Sequence, residues 1–134
     1  MKSAKKVKIL LAKAGLDTHV RGVSILMTRL RDAGFEVVYT GLFQTPETIV
    51  AAAIQEDVDF IFLSHHLGGH LALTREIIEL LEEKGAMDIS LVVGGLVPAR
   101  DIPALKELGA VEAFLPHTLP SRVVDFVSSR MATA

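Results

Sequence analysis

The chain has 134 residues, of which 50% are hydrophobic, so it is long enough and apolar enough to form one domain with a sizeable core. Its 14 Lys and Arg against 16 Asp and Glu give a formal net charge of −2, which disfavours nucleic acid and anionic membranes as partners. The absence of cysteine excludes thiol chemistry and is typical of a cytoplasmic protein, and no apolar run reaches the roughly 20 residues that span a bilayer.

Short apolar runs that predict buried strands alternate along the chain with amphipathic stretches that predict helices. The first expected strand, 7–12, precedes a helix that carries Leu26 and Leu30 on its apolar face and ends at Gly34. Thr45 is expected to cap the second helix, with Pro46 at its first position. The remaining strands are expected at 35–39, 60–63, 91–93 and 113–115, and the remaining helices at 71–84, 102–108 and 121–131.

This alternation predicts a flavodoxin-like (βα)5 fold, a three-layer α/β sandwich in which helices cover both faces of a parallel five-stranded sheet. One domain is expected over residues 1–134, with its core at about 7–131, because no linker or repeat interrupts the pattern. Ligands of such sheets lie beyond the carboxyl ends of the strands, beside the point where the strand order reverses. The site is therefore expected in the segments 13–22, 64–70, 94–100 and 116–119.

The segment after the first strand carries Lys13, Asp17 and His19 close together, ahead of Gly22. A histidine whose second ring nitrogen donates to a carboxylate is held in one tautomer and becomes a better ligand, and Asp17 is placed to supply that carboxylate. Lys13 could in turn keep Asp17 ionised, and Gly22 would let a ligand pass close to the backbone. Taken alone, the segment also fits an ordinary helix start, with Asp17 as the cap and His19 in solvent.

Two further strand ends are rich in small residues. Ser64 is followed by Gly68-Gly69 after the third strand, and Gly94-Gly95 follows the fourth. Glycines at neighbouring strand ends leave room for a flat or elongated group to slide between the sheet and its helices, although each pair alone also fits a tight turn. Their place on the same sheet edge as His19 favours a deep slot for a long ligand.

The residues at this edge resemble those of a known family. Asp17-x-His19-x-x-Gly22, with Ser64 and Gly94-Gly95, is similar to the motif of the cobalamin-binding domain of adenosylcobalamin-dependent acyl-CoA mutases. The resemblance covers about 7–126 and is strongest to the methylmalonyl-CoA mutase branch, through the run Gly41-Leu42-Phe43-Gln44-Thr45-Pro46-Glu47.

The resemblance implies a role for each candidate residue. His19 would replace the dimethylbenzimidazole of the cofactor as the lower cobalt ligand, Asp17 would bond to its distal ring nitrogen, and Lys13 would complete this relay. The displaced nucleotide tail would run into the slot. The residues implied in cofactor binding are Lys13, Asp17, His19, Arg21, Gly22, Ser64, His66, Gly68, Gly94, Gly95 and Thr118, with His19 as the metal ligand.

In this family the radical rearrangement takes place in a separate TIM-barrel domain that binds the acyl-CoA, so the resemblance implies no catalytic residue in this chain. It implies the small subunit of a two-chain mutase, of the methylmalonyl-CoA or 2-hydroxyisobutyryl-CoA type, which is inactive without its large TIM-barrel partner. Three positions depart from the family pattern: Thr18 replaces a common glycine, His66 a leucine and His117 a small residue. These changes leave the cobalt-ligating motif intact and alter the expected tail pocket.

Three other interpretations are open from the residues. The five histidines are all expected in carboxyl-end loops, which would suit zinc or another divalent ion, although Asp17 is the one carboxylate expected within reach. A receiver domain shares the fold but needs a phosphoryl-accepting Asp where Ser64 stands. A stand-alone cobalamin carrier, chaperone or sensor has the same sequence features as a mutase subunit.

Met27, Phe43 and Phe114 are expected to fill core or near-core space rather than to contact a ligand.

Overall fold

The computed structural model of the protein describes residues 6–13, 21–41, 44–65, 69–95, 97–116 and 118–132. Within these ranges, strands and helices alternate as predicted, and none of the helices is long and apolar enough to cross a membrane. The strands are β1 (Lys8–Lys13), β2 (Glu36–Tyr39), β3 (Phe60–His65), β4 (Ser90–Gly95) and β5 (Glu112–Ala113), and the helices are α1 (Arg21–Asp32), α2 (Pro46–Glu56), α3 (His70–Glu83), α4 (Ile102–Leu108) and α5 (Pro120–Ala132), with a 3₁₀ turn (Ala99–Asp101) before α4.

The described strands form one sheet in the order β2-β1-β3-β4-β5, and each neighbouring pair is parallel. The chain places β2 on one side of β1 and then crosses to β3 on the other side, so the strand order reverses between β1 and β3. This confirms the predicted flavodoxin-like sheet. The reversal brings the carboxyl ends of β1 and β3 together at the position where ligands of such sheets bind.

Each face of the sheet carries its own apolar core. In β3, Phe60 and Phe62 belong to one core and Ile61 and Leu63 to the other, because side chains alternate along a strand. Both faces are buried, which explains why the strands are almost continuously apolar in sequence. We call the side of Phe62 the α1/α5 face, since α1 and α5 cover it, and the other side the α2/α3/α4 face. The helix residues buried on the α1/α5 face include Leu30, Val123 and Val127, and those on the α2/α3/α4 face include Ile49, Ile77 and Leu105.

The helix boundaries predicted from turn residues are confirmed. Thr45 Oγ1 accepts a hydrogen bond from the Thr48 amide at 3.2 Å, and Thr48 Oγ1 accepts one from the Thr45 amide at 2.9 Å, so the start of α2 is a reciprocal capping box. Gly34 and Gly85 follow α1 and α3 with φ angles of +97° and +67°. Glycine adopts this left-handed conformation without strain, and the conformation ends both helices.

The strand boundaries at the carboxyl edge differ from the prediction. Ser64 is paired with both Lys13 and Gly94, so the ladder continues beyond the apolar runs and β3 and β4 end at His65 and Gly95. The first residues of the segments expected as loops are therefore strand residues. The edge strand β5 is shorter than predicted, because its described pairing with β4 spans two residues.

Lys8 joins the amino-terminal end of β1 to neighbouring elements. Its Nζ lies 2.9 Å from Glu56 Oε1 at the end of α2 and 3.5 Å from Glu36 Oε2 in β2, and its backbone N–H donates to Asp59 Oδ2 at 3.0 Å. The hydrogen bond to Glu56 raises the pKa of Lys8 above its ordinary value of 10.5, against the opposing effect of desolvation. A lysine pKa that folding raises means that protonated Lys8 stabilises the folded state.

Lys8→Met should lower the free energy of unfolding at neutral pH by at most about 1 kcal/mol, because the ion pairs are partly exposed. The difference from wild type should persist up to pH 10.5 and shrink as the pH rises through the higher folded-state pKa, where Lys8 loses its proton. Urea unfolding at several pH values checks this, with Lys84→Met at an exposed position as the control. A difference that is independent of pH would contradict the ion-pair origin.

Candidate functional site

Three residues at the carboxyl ends of β1, β3 and β4 form a row across the sheet. Lys13 is paired with Ser64, and Ser64 with Gly94. Since side chains alternate, each position of this row faces the same side as the residue two positions earlier on its strand. That side is the α1/α5 face, where the core contains Leu11, Phe62 and Val92.

The row places a cation and a hydroxyl side by side at the end of an apolar strand pair. Lys13 is fully buried, with 0% of its surface exposed. A buried ammonium group is costly unless an anion and further hydrogen-bond acceptors compensate it, so a lysine buried to this degree is expected to be paired. Ser64, its neighbour in the row, is half-buried.

Gly94 leaves open space on the α1/α5 face. A Cβ atom built at Gly94 would meet no described heavy atom within 4 Å, whereas one built at Gly109 would come within 3.0 Å of Ile78 Cδ1. The next residue, Gly95, has a φ of +99°, a left-handed conformation that a residue with a side chain rarely adopts. The backbone at the end of β4 can therefore be approached closely by a ligand.

Aromatic side chains close the α1/α5 face below this row. Phe62 packs edge-to-face on Phe60 with ring centroids 5.9 Å apart, and Phe126 of α5 packs on Phe60 at 6.4 Å and on Phe114 at 5.7 Å. Phe114 and Met27 are half-buried against the same core, as predicted. We call the space over Gly94 the slot, with the row as its polar rim and this aromatic cluster as its apolar floor.

Thr118 stands between β5 and α5. Its Oγ1 donates to the Leu115 carbonyl at 2.6 Å, which uses the hydroxyl proton and leaves the oxygen free to accept a hydrogen bond. The half-buried Thr118 is therefore suited to a donor on a ligand rather than to an acceptor.

Residues 7–122 match the B12 binding domain family. The chain belongs to this family. The family resemblance seen in the sequence is thereby confirmed, and the receiver interpretation is wrong.

Two curated proteins and one crystal structure show how this B12-binding domain is used elsewhere. The 2-hydroxyisobutanoyl-CoA mutase small subunit of Aquincola tertiaricarbonis is 44% identical over 94% of this chain and 93% of its own length. The methylmalonyl-CoA mutase large subunit of Propionibacterium freudenreichii subsp. shermanii is 38% identical over 96% of this chain, but the match spans 18% of that protein. The crystal structure of a cobalamin-binding protein from Desulfitobacterium hafniense DCB-2 is 27% identical, with a TM-score of 0.79, and the match covers 95% of this chain and 59% of that one.

The structure describes seven of the eleven cofactor-binding residues predicted for this B12-binding domain. Those at the ends of β1, β3 and β4 are brought together, as the row and the slot show. Arg21 and Gly22 are the first two residues of α1, which begins inside the segment expected as a loop. Outside the described residues lie Asp17, His19, His66 and Gly68, with Phe43, Thr18 and His117, and their roles stay predictions.

A contact that the sequence does not reveal joins the helices that follow β3 and β4. His70 is the first residue of α3 and 9% exposed, and its Nε2 lies 2.7 Å from Asp101 Oδ2. Two expectations are therefore wrong for His70: it lies in a helix rather than a loop, and a carboxylate other than Asp17 reaches it. Asp101 stands just before a proline-containing helix start, so its sequence context indicates a cap and not a partner for a residue 31 positions earlier.

The described ranges contain no group of three or more His, Asp or Glu residues that could hold a metal ion. His70 and Asp101 form a pair, whereas protein zinc sites use at least three ligands. The divalent-metal interpretation gains no support from this part of the B12-binding domain.

Gly94→Ala should change the free energy of unfolding of the apo protein by less than about 1 kcal/mol, because the added methyl group enters open space. Gly109→Ala should lower it by about 1–3 kcal/mol, since the methyl group meets Ile78 and Gly109 has a φ of +128°. Urea unfolding of both variants beside wild type makes the comparison. An equally large loss at Gly94 would show that the slot is already filled.

Proposed function

We propose that this chain is the cobalamin-binding small subunit of an adenosylcobalamin-dependent acyl-CoA mutase. The single observation that carries the proposal is the row of Lys13, Ser64 and Gly94 beside an open slot, within a chain that spans 93% of a mutase small subunit. The residues fit a corrinoid with a long nucleotide tail, because the rim is polar, the backbone at Gly94 is accessible and the floor is apolar.

The buried Lys13 supports a relay to the cobalt. An ammonium group at 0% exposure needs an anion close by, and Asp17, four positions further along the chain, supplies one in our proposal. The Asp17 carboxylate would then accept the distal ring N–H of His19, fix its tautomer and strengthen the other ring nitrogen as a ligand. His19 would in this way hold the cobalt from below.

The slot would receive the nucleotide tail that His19 displaces. Ser64 would hydrogen-bond the base of the tail, Gly22, Gly94 and Gly95 would let the tail pass close to the backbone, and Thr118 would accept a hydrogen bond from it. Arg21, His66 and Gly68 would complete the binding surface.

When bound, adenosylcobalamin supplies the radical that starts the carbon-skeleton rearrangement of the acyl-CoA. The residues of this chain bind the cofactor, orient it and exclude water from its lower side, and none of them is a catalytic residue in our proposal. The acyl-CoA site would lie in a large TIM-barrel subunit, so the small subunit alone would be inactive. We place the assembled enzyme in the cytoplasm, which the cysteine-free sequence supports.

Wild-type protein mixed with cobalamin should bind it with the dimethylbenzimidazole displaced and a histidine in its place. Electron paramagnetic resonance of the Co(II) form tests the ligand directly, because nitrogen-15 labelling of the protein converts the superhyperfine triplet into a doublet when a protein nitrogen coordinates. His19→Ala should abolish this change, while His65→Ala, the control, should retain it. Unchanged cobalamin spectra at concentrations well above micromolar would overturn the cofactor assignment.

The large-subunit partner is tested by reconstitution. Mixed with the large mutase subunit of the same organism, adenosylcobalamin and acyl-CoA, the wild-type chain should form a stable complex and turn over substrate, whereas neither subunit should do so alone. A His19→Ala chain is the matched control for cofactor loading. Tight cobalamin binding with no complex and no turnover would favour a stand-alone carrier, an alternative kept open by the match to a cobalamin-binding protein of longer chain.

A further inference from the structure

We propose that His70 and Asp101 are positioning residues for the cofactor, because their contact locks together the two connections that follow the carboxyl ends of β3 and β4. The inference rests on the proposed function, since it concerns how the slot is kept ready for cobalamin. Neither residue belongs to the predicted cofactor-binding set. His70 is buried and Asp101 half-buried, and the relay through Lys13 does not use this pair.

The contact joins the two connections that leave the site. His70 begins α3 five residues after the end of β3, and Asp101 ends the 3₁₀ turn that follows β4. The 2.7 Å distance from Nε2 to Oδ2 is that of a strong, charge-assisted hydrogen bond. With His70 at 9% exposure, water competes little for this bond. It therefore ties together the segments that continue from Ser64 and from Gly94.

The Asp101 side chain bonds to His70 and not to its own helix. It occupies the N-cap position of α4, where aspartate is among the preferred residues, yet its side chain makes no capping hydrogen bond. The α3 helix likewise starts without a side-chain cap, after Gly69 in the left-handed conformation. Both helix starts are thus held by a contact between elements and not by capping within each helix.

The lock restricts two glycines, Gly69 directly before α3 and Gly95 at the end of β4. Gly69 and Gly95 have φ angles of +75° and +99°, and glycine has the largest conformational freedom to lose when the chain is ordered. The helices α3 and α4 pack on the α2/α3/α4 face through Ile77 and Leu105, opposite the slot. The pair can therefore hold the segments that follow the row in place from behind, without occupying the space that the cofactor needs.

A row that is already ordered binds its ligand more tightly, because less ordering remains to be done on binding. His70→Phe keeps an aromatic ring and removes the donor, so it should raise the Kd for cobalamin about tenfold. His70→Gln places an amide N–H near the position of Nε2 and should bring the Kd back to within about threefold of wild type. Asp101→Asn keeps an acceptor and should behave like His70→Gln.

The double variant His70→Phe/Asp101→Leu should bind cobalamin no more weakly than its weaker single parent, because both substitutions remove the same contact. Lys106→Met is the control. It removes the ion pair between Lys106 Nζ of α4 and Glu112 Oε1 of β5, which are 3.1 Å apart and lie away from the row, so it should leave the Kd unchanged.

Amide hydrogen exchange in the apo protein tests the His70–Asp101 contact without any cofactor. The Leu73 amide donates to the Gly69 carbonyl at 3.0 Å and the Asp101 amide to the Pro98 carbonyl at 3.0 Å, so both bonds lie beside the pair. His70→Phe should speed exchange at these two amides. It should leave the Ala86 amide at the far end of α3, bonded to the Leu81 carbonyl at 2.8 Å, unchanged.

The outcomes separate this inference from the proposed function. If wild type binds cobalamin through His19 and His70→Phe has the same Kd, the lock is wrong and the proposed function stands. Equal acceleration at Leu73, Asp101 and Ala86 would show general destabilisation and would also overturn the lock. Failure of the wild type to bind any corrinoid would overturn the proposed function, and the inference with it.

Discussion

The pairing of β3 with both β1 and β4 determines where the groups of the site stand. Parallel register places Ser64 between Lys13 and Gly94, and alternation turns all three positions to the α1/α5 face. A slip of β3 by one residue would bring Leu63 into the row and turn Ser64 toward the other core. Phe62 and Leu63 each fill one of the two cores. Such a slip would turn each side chain toward the core that the other one fills. Packing in the middle of the sheet thereby fixes the chemistry at its edge.

The site departs from the rules that the rest of the sheet follows. The strands are apolar and tightly packed until the last residues of β1, β3 and β4, where a buried lysine, a serine and two glycines follow. A buried cation and strand glycines each reduce the stability of the apo fold. Such local conflicts with stability are expected at functional sites, where a ligand completes the interactions that the protein leaves unfinished.

The sequence predicts the alternation of strands and helices, because apolar runs and turn residues such as Thr45, Gly34 and Gly85 act locally. It also predicts which residues share the sheet edge. It does not predict that Ser64 and Gly94 continue the strands, because their pairing depends on neighbouring strands and not on their own propensity. The His70–Asp101 contact is missed for a similar reason, since it joins helix starts that only the folded chain brings together.

The two edges of the sheet are short, with four residues in β2 and two in β5. An exposed strand edge offers unpaired backbone groups on which a strand of another molecule can assemble, and short edges offer few of them. Copies of this protein are therefore poorly equipped to join strand to strand into larger aggregates. Association with another chain then depends on side-chain complementarity, which, unlike a backbone ladder, distinguishes one partner from another.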